Sequence, residues 1–375
     1  MMVESMTLST LGGVAGILVA AWGVPILAAA MPESLGLPNA AGIKVDGAVL
    51  LAAIAATLFT GLLFGIAPVL QLKRETLRDS LKEGARGSTG SARGRRLRST
   101  LVVAQVAMSL ILLAGAGLLL RTLYEMERIS LGFNPHHVLT VPVESATNSD
   151  GPASIARALD RVRGLPGVQA AGSVSSVPLT GVAGAGPVWA FGQPRPADYS
   201  EMVTAKVWRI SKGYLATMGI PLLAGHDFDE GVRPGAPTVA IVNESLVRQF
   251  FPRGEYLGKR IVLAGFSVVP FDLEIVGVTA DTKSYQLTAD SGPQVFLDNA
   301  QGPLGFGVLV IRTEGESAAV AGAVRREIRS ASPNLIPGNP KDMEFYLASA
   351  LAKPRFSAIL LACFATIAML LSAIG

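Results

Sequence analysis

The sequence contains a single cysteine, Cys363, among 375 residues. One thiol excludes an intramolecular disulfide, so any folded region of this chain must be held together by packing. Charged residues are also scarce, at 16% against 50% hydrophobic residues, and the mean hydropathy is +0.45. This composition argues against a disordered chain and is typical of a membrane protein.

The motifs of nucleotide binding and of common hydrolases are absent. The sequence has no G-x-x-x-x-G-K-[ST], H-E-x-x-H, C-x-x-C or G-x-S-x-G. The chain therefore cannot hold nucleotide phosphates in the P-loop manner, and energy from ATP would have to come from another subunit. His136 and His137 are adjacent and would point to opposite faces of a strand, and the polar run His226–Glu230 fits a solvated turn better than a calcium site. We expect no enzyme activity, no cofactor and no metal.

Long apolar segments without charge, by contrast, occur four times. Each has about the 20 residues that a helix needs to cross a hydrocarbon core of ~30 Å. The apolar stretches 8–31, 48–72, 99–120 and 356–375 contain no Asp, Glu, Lys, Arg or His, which argues against an ion channel or a proton-coupled carrier. We predict two transmembrane helices within residues 1–72, at 8–31 and 48–72, and two more at 99–121 and 356–375.

Basic residues are concentrated in residues 73–98, where nine Lys and Arg stand against three acids. Short loops rich in Lys and Arg stay in the cytoplasm, so this segment is predicted to be a cytoplasmic linker and residues 122–353 to lie outside the membrane. The basic pI of 9.3 is then a topology signal, and we expect no nucleic acid partner. Seven residues are candidates for contact with membrane lipid or with a cytoplasmic partner: Lys73, Arg74, Arg78, Lys82, Arg95, Arg96 and Arg98.

Strand and helix patterns alternate along residues 122–353. Val138–Glu144 and Gly307–Arg312 are predicted strands, and Ser317–Ser332 is a predicted helix with apolar residues on one face. We predict an α+β domain with two lobes, in which a strand-rich lobe is inserted at about residues 216–304.

A segment rich in glycine and alanine, residues 180–192, is predicted to be a loop. It carries Trp189 and Phe191, and exposed aromatic side chains on a loop can contact a ligand. The alternative is that they fill the gap between the two lobes.

An ordered series of short motifs resembles the MacB-like and FtsX-like permeases of ABC transporters, especially the duplicated bacterial permeases without an ATPase of their own. No single motif is decisive, but together they extend over nearly the whole chain. They include Gly61–Pro68, Arg96–Ala104, Ala114–Arg121, Gly132–Pro135, Gly213–Leu222, Val239–Glu244, Leu257–Lys259 and Glu274–Val278.

The resemblance implies a multi-pass protein of the bacterial inner membrane, with four transmembrane helices and a periplasmic α+β domain at residues 122–353. It also implies a permease subunit, for export, that transmits the motion of a separate ABC ATPase through two stalks. The stalk candidates are Arg121, Tyr124, Phe345 and Arg355. Further partners implied are a second permease unit, in a homo- or heterodimer, and an envelope protein.

Two further expectations follow from the resemblance. Residues 1–72 resemble the end of one permease unit and residues 95–375 the start of the next, so we expect a fragment of a longer permease. The alternative function is an FtsX-like scaffold or signalling protein without transport, whose outer domain regulates an envelope enzyme or binds a ligand.

Overall fold

A computed structural model describes residues 2–29, 46–75, 92–146, 151–195, 198, 201–229, 237–265, 271–283, 285–302 and 304–374. The chain divides into two compact units. The first, which we call the helical unit, comprises Met1–Arg121 and Ala352–Gly375. The second, which we call the sheet domain, is Thr122–Leu351.

The elements assigned within these residues are helices and strands in mixed order. The helices are α1 (Met2–Ala29), α2 (Gly47–Glu75), α3 (Ala92–Glu127), α4 (Gly151–Arg163), α5 (Tyr214–Met218), α6 (Glu244–Phe250), α7 (Ser317–Ala331) and α8 (Met343–Ile374). The strands are β1 (Val138–Ser145), β2 (Val168–Val174), β3 (Gly184–Ala190), β4 (Val203–Ile210), β5 (Leu222–Gly225), β6 (Val239–Asn243), β7 (Arg260–Leu263), β8 (Phe271–Thr279), β9 (Gln294–Asp298), β10 (Phe306–Thr313), β11 (Leu335–Pro337) and β12 (Lys341–Asp342).

Membrane-length apolar segments are present in α1, α3 and α8. Within the described residues, three helices are long and apolar enough to cross a membrane, over Ser9–Ile26, Val102–Glu127 and Met343–Ala373. The corresponding segment of α2, Gly47–Phe59, is shorter. The predicted count of four transmembrane helices is therefore not confirmed, although α2 itself continues to Glu75.

α1 and α2 approach each other closely at two glycines. A Cβ at Gly13 would lie 2.6 Å from Thr57 Cγ2, and one at Gly61 would lie 2.9 Å from Ser9 Oγ. The Ser9 hydroxyl donates a hydrogen bond of 2.6 Å to Thr57 O. Small residues at such positions let helix backbones pack closely, which matters in lipid because the hydrophobic effect does not drive helices to associate there.

α3 and α8 pack along a seam of small residues that recur every seven positions. Ala358 and Ala365 are almost fully buried on α8, as is Ala116 on α3. At one end of the seam, Ser109 Oγ lies 2.9 Å from Ser372 Oγ and 3.1 Å from Ala368 O. A seven-residue spacing keeps one helix face against its neighbour, so these two helices form a closely packed antiparallel pair.

The first half of the sheet has the strand order β11-β1-β10-β2, and all neighbouring strands in it are antiparallel. Along the chain it consists of β1-α4-β2 and β10-α7-β11, which is a split βαβ arrangement. α4 and α7 cover one face because their apolar residues recur at helical spacing. Ile155 and Leu159 of α4 and Ile328 of α7 lie with Leu139 and Leu309 in this core.

The second half of the sheet closes into a six-stranded barrel. β3 pairs with β4 and β7, β8 connects β7 to β6, and β9 connects β6 back to β4. The β4–β9 and β6–β8 pairs are parallel and the others antiparallel. Closure satisfies the strand edges, and the apolar side chains that share this core include Val188, Val207, Ile261, Leu273 and Val295.

Two predictions about this half of the domain are wrong. Residues 184–190 belong to strand β3 and not to a loop, and the barrel begins there, well before the predicted lobe boundary at 216. Small residues gave a weak strand signal, but pairing with β4 on one side and β7 on the other satisfies the backbone of β3.

Ala365→Leu is expected to destabilise the helical unit, because an added isobutyl group would enter a seam where Ala365 is 1% exposed. Overpacking of this kind costs about 1–3 kcal/mol. Ala373→Leu is the matched control, since Ala373 lies on the same helix and is exposed. The measurement is the thermal unfolding midpoint in detergent, and equal midpoints for the two variants would contradict the seam.

Candidate functional site

The ends of α3 and α8 share one apolar core inside the sheet domain, which we call the helix-end core. Met126 of α3 and Met343 and Leu351 of α8 are buried there, and Leu123 and Leu347 pack against them. The core also includes residues of the following linker, of α5 and of strands β1 and β10: Leu131, Phe133, Val138, Met218, Val308 and Val310. Both helix ends are therefore fixed by burial in the same place.

The four predicted stalk residues lie at these helix ends but outside the core. Tyr124 is 58% exposed, and its ring lies 5.1 Å from the Arg128 guanidinium. Phe345 is 37% exposed, lies edge-on to Tyr346, and has the Lys341 ammonium 4.1 Å from its ring centroid. Arg121 and Arg355 belong to the helical unit. The structure thus brings neither arginine into the helix-end core, whose anchors are the methionines and leucines.

The linker from α3 to β1 turns at Gly132, where φ is +73°. A Cβ there would clash with Asp281 O, so both the backbone angle and the space require glycine. The neighbouring Leu131 accepts a hydrogen bond at its carbonyl from Lys283 N, at 2.8 Å. This contact attaches the linker to the segment that follows β8.

Arg312 holds the same linker from the other side. Its Nε donates to Thr217 O at 2.8 Å, and its two terminal nitrogens donate to His136 O and Asn134 O at 3.0 Å. Asn134 N in turn donates to Met218 O at 2.8 Å. Partial burial lowers the pKa of Arg312 from its ordinary value, but a guanidinium stays charged. One side chain of β10 thus ties the linker to α5.

Asp281, against which Gly132 packs, is fixed by a polar network. Its carboxylate accepts from Asn243 Nδ2, from Ser245 N and Oγ, and from Arg248 at distances of 2.6–2.9 Å. Burial opposes ionisation, but the hydrogen bonds from Ser245 and Arg248 outweigh it and lower the pKa of Asp281. The network gives the linker a rigid surface to pack on.

The side chains of the seven basic candidates between residues 73 and 98 lie outside the described part of the chain. Arg78 and Lys82 lie outside the described residues. The backbones of Lys73 and Arg74 fall in α2, and those of Arg95, Arg96 and Arg98 fall in α3, but their side chains are likewise outside the description. Their contact with lipid or with an ATPase stays a prediction.

The two aromatic candidates lie at strand β3. Trp189 is 9% exposed within the strand, opposite Val262 of β7, with the Arg195 guanidinium 6.0 Å from its ring. Phe191, just after the strand, is 45% exposed and has the Arg260 guanidinium 3.8 Å from its ring centroid. Ligand contact by these two side chains, and the alternative that they fill a gap between the lobes, both stay predictions.

The polar run at 226–230 begins with a structural turn. Asp227 accepts hydrogen bonds from Gly213 N at 3.1 Å and from Phe228 N at 2.8 Å, and Phe228 is buried. Glu230 lies outside the described residues. Across the part of the chain that the structure describes, no three His, Cys, Asp or Glu side chains come together to hold a metal.

Sequence reasoning missed Arg312, whose partners are backbone carbonyls, and Asp281, whose partners are mainly side chains, because in both cases the partners lie in distant parts of the chain. The sequence signal for this contact is a pair of family motifs, Gly132–Pro135 and Gly213–Leu222. The structure places the two motifs against each other, where Asn134 N donates a hydrogen bond to Met218 O. Arg312 and Asp281 therefore position the backbone of the linker.

Gly132→Ala is expected to destabilise the sheet domain more than Gly258→Ala does. Both glycines have a φ of +73°, so both variants incur the cost of about 1–2 kcal/mol that a left-handed backbone imposes on alanine. Only Gly132 adds a clash, since a Cβ at Gly258 would have nothing within 4 Å. The further loss should be about 1–3 kcal/mol, read from thermal midpoints in detergent. Equal losses would mean that the contact with Asp281 is unimportant.

Among solved structures, this chain is similar to the periplasmic region of MacB from Actinobacillus actinomycetemcomitans. The similarity covers 57% of this chain and 91% of the MacB structure, with 14% sequence identity and a TM-score of 0.37. This chain is also similar to the extracellular domain of the noncanonic ABC-type transporter YknZ from Gram-positive bacteria. That similarity covers 53% of this chain and 100% of the YknZ structure, with 12% sequence identity and a TM-score of 0.32. None of the curated proteins compared with this chain matches it.

The family comparison matches a larger share of the chain. The family described as the MacB-like periplasmic core domain matches residues 99–331, which cover α3, nearly all of the strands and α7. That match spans more than half of the 375 residues. The chain therefore belongs to the MacB-like periplasmic core domain family.

Proposed function

We propose that this chain is a permease component of an ABC-type transporter in the bacterial inner membrane, with the sheet domain in the periplasm. In this proposal the chain performs no chemistry. A separate ATPase binds ATP and moves the cytoplasmic ends of the helices, and the sheet domain converts that motion into export of a substrate. Membership of the MacB-like family and the membrane-length helices support this assignment.

The observation that carries the proposal is the helix-end core. α3 and α8 are each continuous helices, over Ala92–Glu127 and Met343–Ile374, and each contains an apolar stretch long enough to cross a membrane. Their ends at Met126 and Met343 are buried in one core with residues of β1 and β10. Displacement of either helix would act directly on the central strands, because close-packed cores transmit strain.

The proposal includes partners on both sides of the membrane. On the cytoplasmic side, the basic segment 73–98 would contact lipid headgroups and the ATPase. In the membrane, a second permease unit would form a dimer with this chain, and outside it an envelope protein would be the counterpart of the sheet domain. The resemblance to duplicated permeases supports the second unit, and the family's periplasmic domain supports the outer partner.

The second candidate is a membrane scaffold or signalling protein without transport. It shares the helix-end core with the first candidate and differs in the identity of the partner that comes with the chain. The discriminating observation is therefore the presence of a nucleotide-binding subunit.

We expect gentle detergent extraction of the tagged chain from native membranes to recover an ABC ATPase in near-equal amount, identified by mass spectrometry. Arg74→Ala with Arg78→Ala should lower that recovery about tenfold, because each exposed ion pair contributes up to about 1 kcal/mol. The control is Arg326→Ala with Arg329→Ala, which removes the same charge from exposed positions on α7.

Recovery of an envelope protein without any ATPase would contradict transport and support the scaffold. Equal loss of ATPase from both double variants would show that the basic segment is not the contact.

A further inference from the structure

A cleft in the sheet domain lies between α4 and the end of β9. Its volume is about 380 Å³, which is within the range of pockets that hold small ligands. Pro152 and Ala156 of α4, neither of which is buried, form its apolar side, while Asp298, Asn299 and Ala300 line the opposite part. The cleft thus has an apolar body and a polar end.

Asp298 is buried at the polar end of this cleft, with only 5% of its surface exposed. One carboxylate oxygen, Oδ1, accepts a hydrogen bond of 2.8 Å from Ala300 N. The other oxygen, Oδ2, accepts no hydrogen bond from the described residues. It is not one of the fully enclosed polar atoms that lack a partner, so we infer that it opens into the cleft. A carboxylate that is buried without a second donor costs free energy, which a ligand with a donor group would recover.

The charges around Asp298 favour a cation. Burial raises the pKa of Asp298, and the nearby carboxylates of Asp227 and Asp229 raise it further. Of the basic groups lining the cleft, Arg163 uses its nitrogens on Ala171 O, on Asp160 and on Lys212 O. Lys212 is the other, and both Lys212 and Asp229 of the lining have interactions of their own. With Arg163 paired to Asp160, no basic group of the described lining forms an ion pair with Asp298.

The geometry favours an organic cation over a metal ion. No group of three His, Cys, Asp or Glu in the described ranges converges to coordinate a metal, so these carboxylates are spread too widely. A primary ammonium carries three N–H donors, one for the Asp298 carboxylate and two for neighbouring oxygens or water, so it does not require a set of converging carboxylates. The apolar side of the cleft at Pro152 and Ala156 would then cover the rest of the molecule.

We propose that this cleft binds a small primary ammonium compound with an apolar body, its ammonium on Asp298 Oδ2 and its body against Pro152 and Ala156. The site is independent of the proposed transport function, because binding at equilibrium requires neither an ATPase nor the motion of a helix.

The test uses leucyl-leucinamide, a dipeptide amide with one ammonium, and its N-acetyl derivative, which has the same body without the charge. Both are titrated against the detergent-purified full chain by ligand-observed NMR. We expect the free amine to bind at least about tenfold more tightly than the acetylated compound. Binding should also weaken as the pH falls and Asp298 takes up a proton, at a pH above the usual range for aspartate.

Asp298→Asn, which keeps the shape and the acceptor for Ala300 N, should lower the affinity for the amine about tenfold. Asp272→Asn is the control, because it removes the same charge from a half-exposed position outside the cleft, and it should change the affinity less than about twofold.

Equal binding of the amine and its acetylated form would overturn the proposal, as would no binding of the amine at about 10 mM. An unchanged affinity in Asp298→Asn would overturn the role of that carboxylate. If Asp298→Asn fails to fold, the comparison of the two ligands and the pH profile of the wild-type protein decide the matter.

Discussion

Met126 near the end of α3 and Met343 at the start of α8 are buried in the same apolar core, together with Val138 of β1 and Val310 of β10. The chain thus enters and leaves the sheet domain at one place, and the first strand and the last long strand are fixed there side by side. Arg312 and the close approach of Gly132 to Asp281 then orient the linker that connects α3 to β1. The polar contacts orient the linker, and the burial of the helix ends stabilises the sheet domain.

The topology of the sheet domain follows from this arrangement. β1 and β10 are neighbours in the sheet although 160 residues separate them, as in the register pair Val138 and Arg312. Within the intervening chain, β2 joins β10, while β3, β4, β6, β7, β8 and β9 close a barrel through the β4–β9 and β6–β8 pairs. The barrel shares the helix-end core, because Ile210 of β4, Ile241 of β6 and Phe296 of β9 are buried there.

Local patterns in the sequence were enough for elements whose side chains alternate or recur at helical spacing. Gly307–Arg312 and Ser317–Ser332 correspond closely to β10 and α7, and the apolar segments near both ends of the chain correspond to α1, α3 and α8. β3 was missed because its glycine and alanine residues carry only a weak strand signal, and its pairing with β4 and β7 defines it. Arg312 and Asp281 were missed for a related reason, since their partners, backbone carbonyls for Arg312 and mainly side chains for Asp281, lie far away in sequence. The basic residues of segment 73–98 could be named from charge alone, but their contacts depend on partners that the sequence does not contain.

Hydrogen exchange measured by mass spectrometry on the wild-type protein and on Met126→Ala tests most directly whether α3 and α8 share one core. Met126 and Met343 lie more than 200 residues apart, so a truncation at one can affect the other only through packing. We expect Met126→Ala to speed exchange in residues 343–351 as well as in residues 122–127, because the cavity loosens a single cooperative unit. Faster exchange confined to residues 122–127 would contradict the shared core and, with it, the coupling of both helices to the sheet.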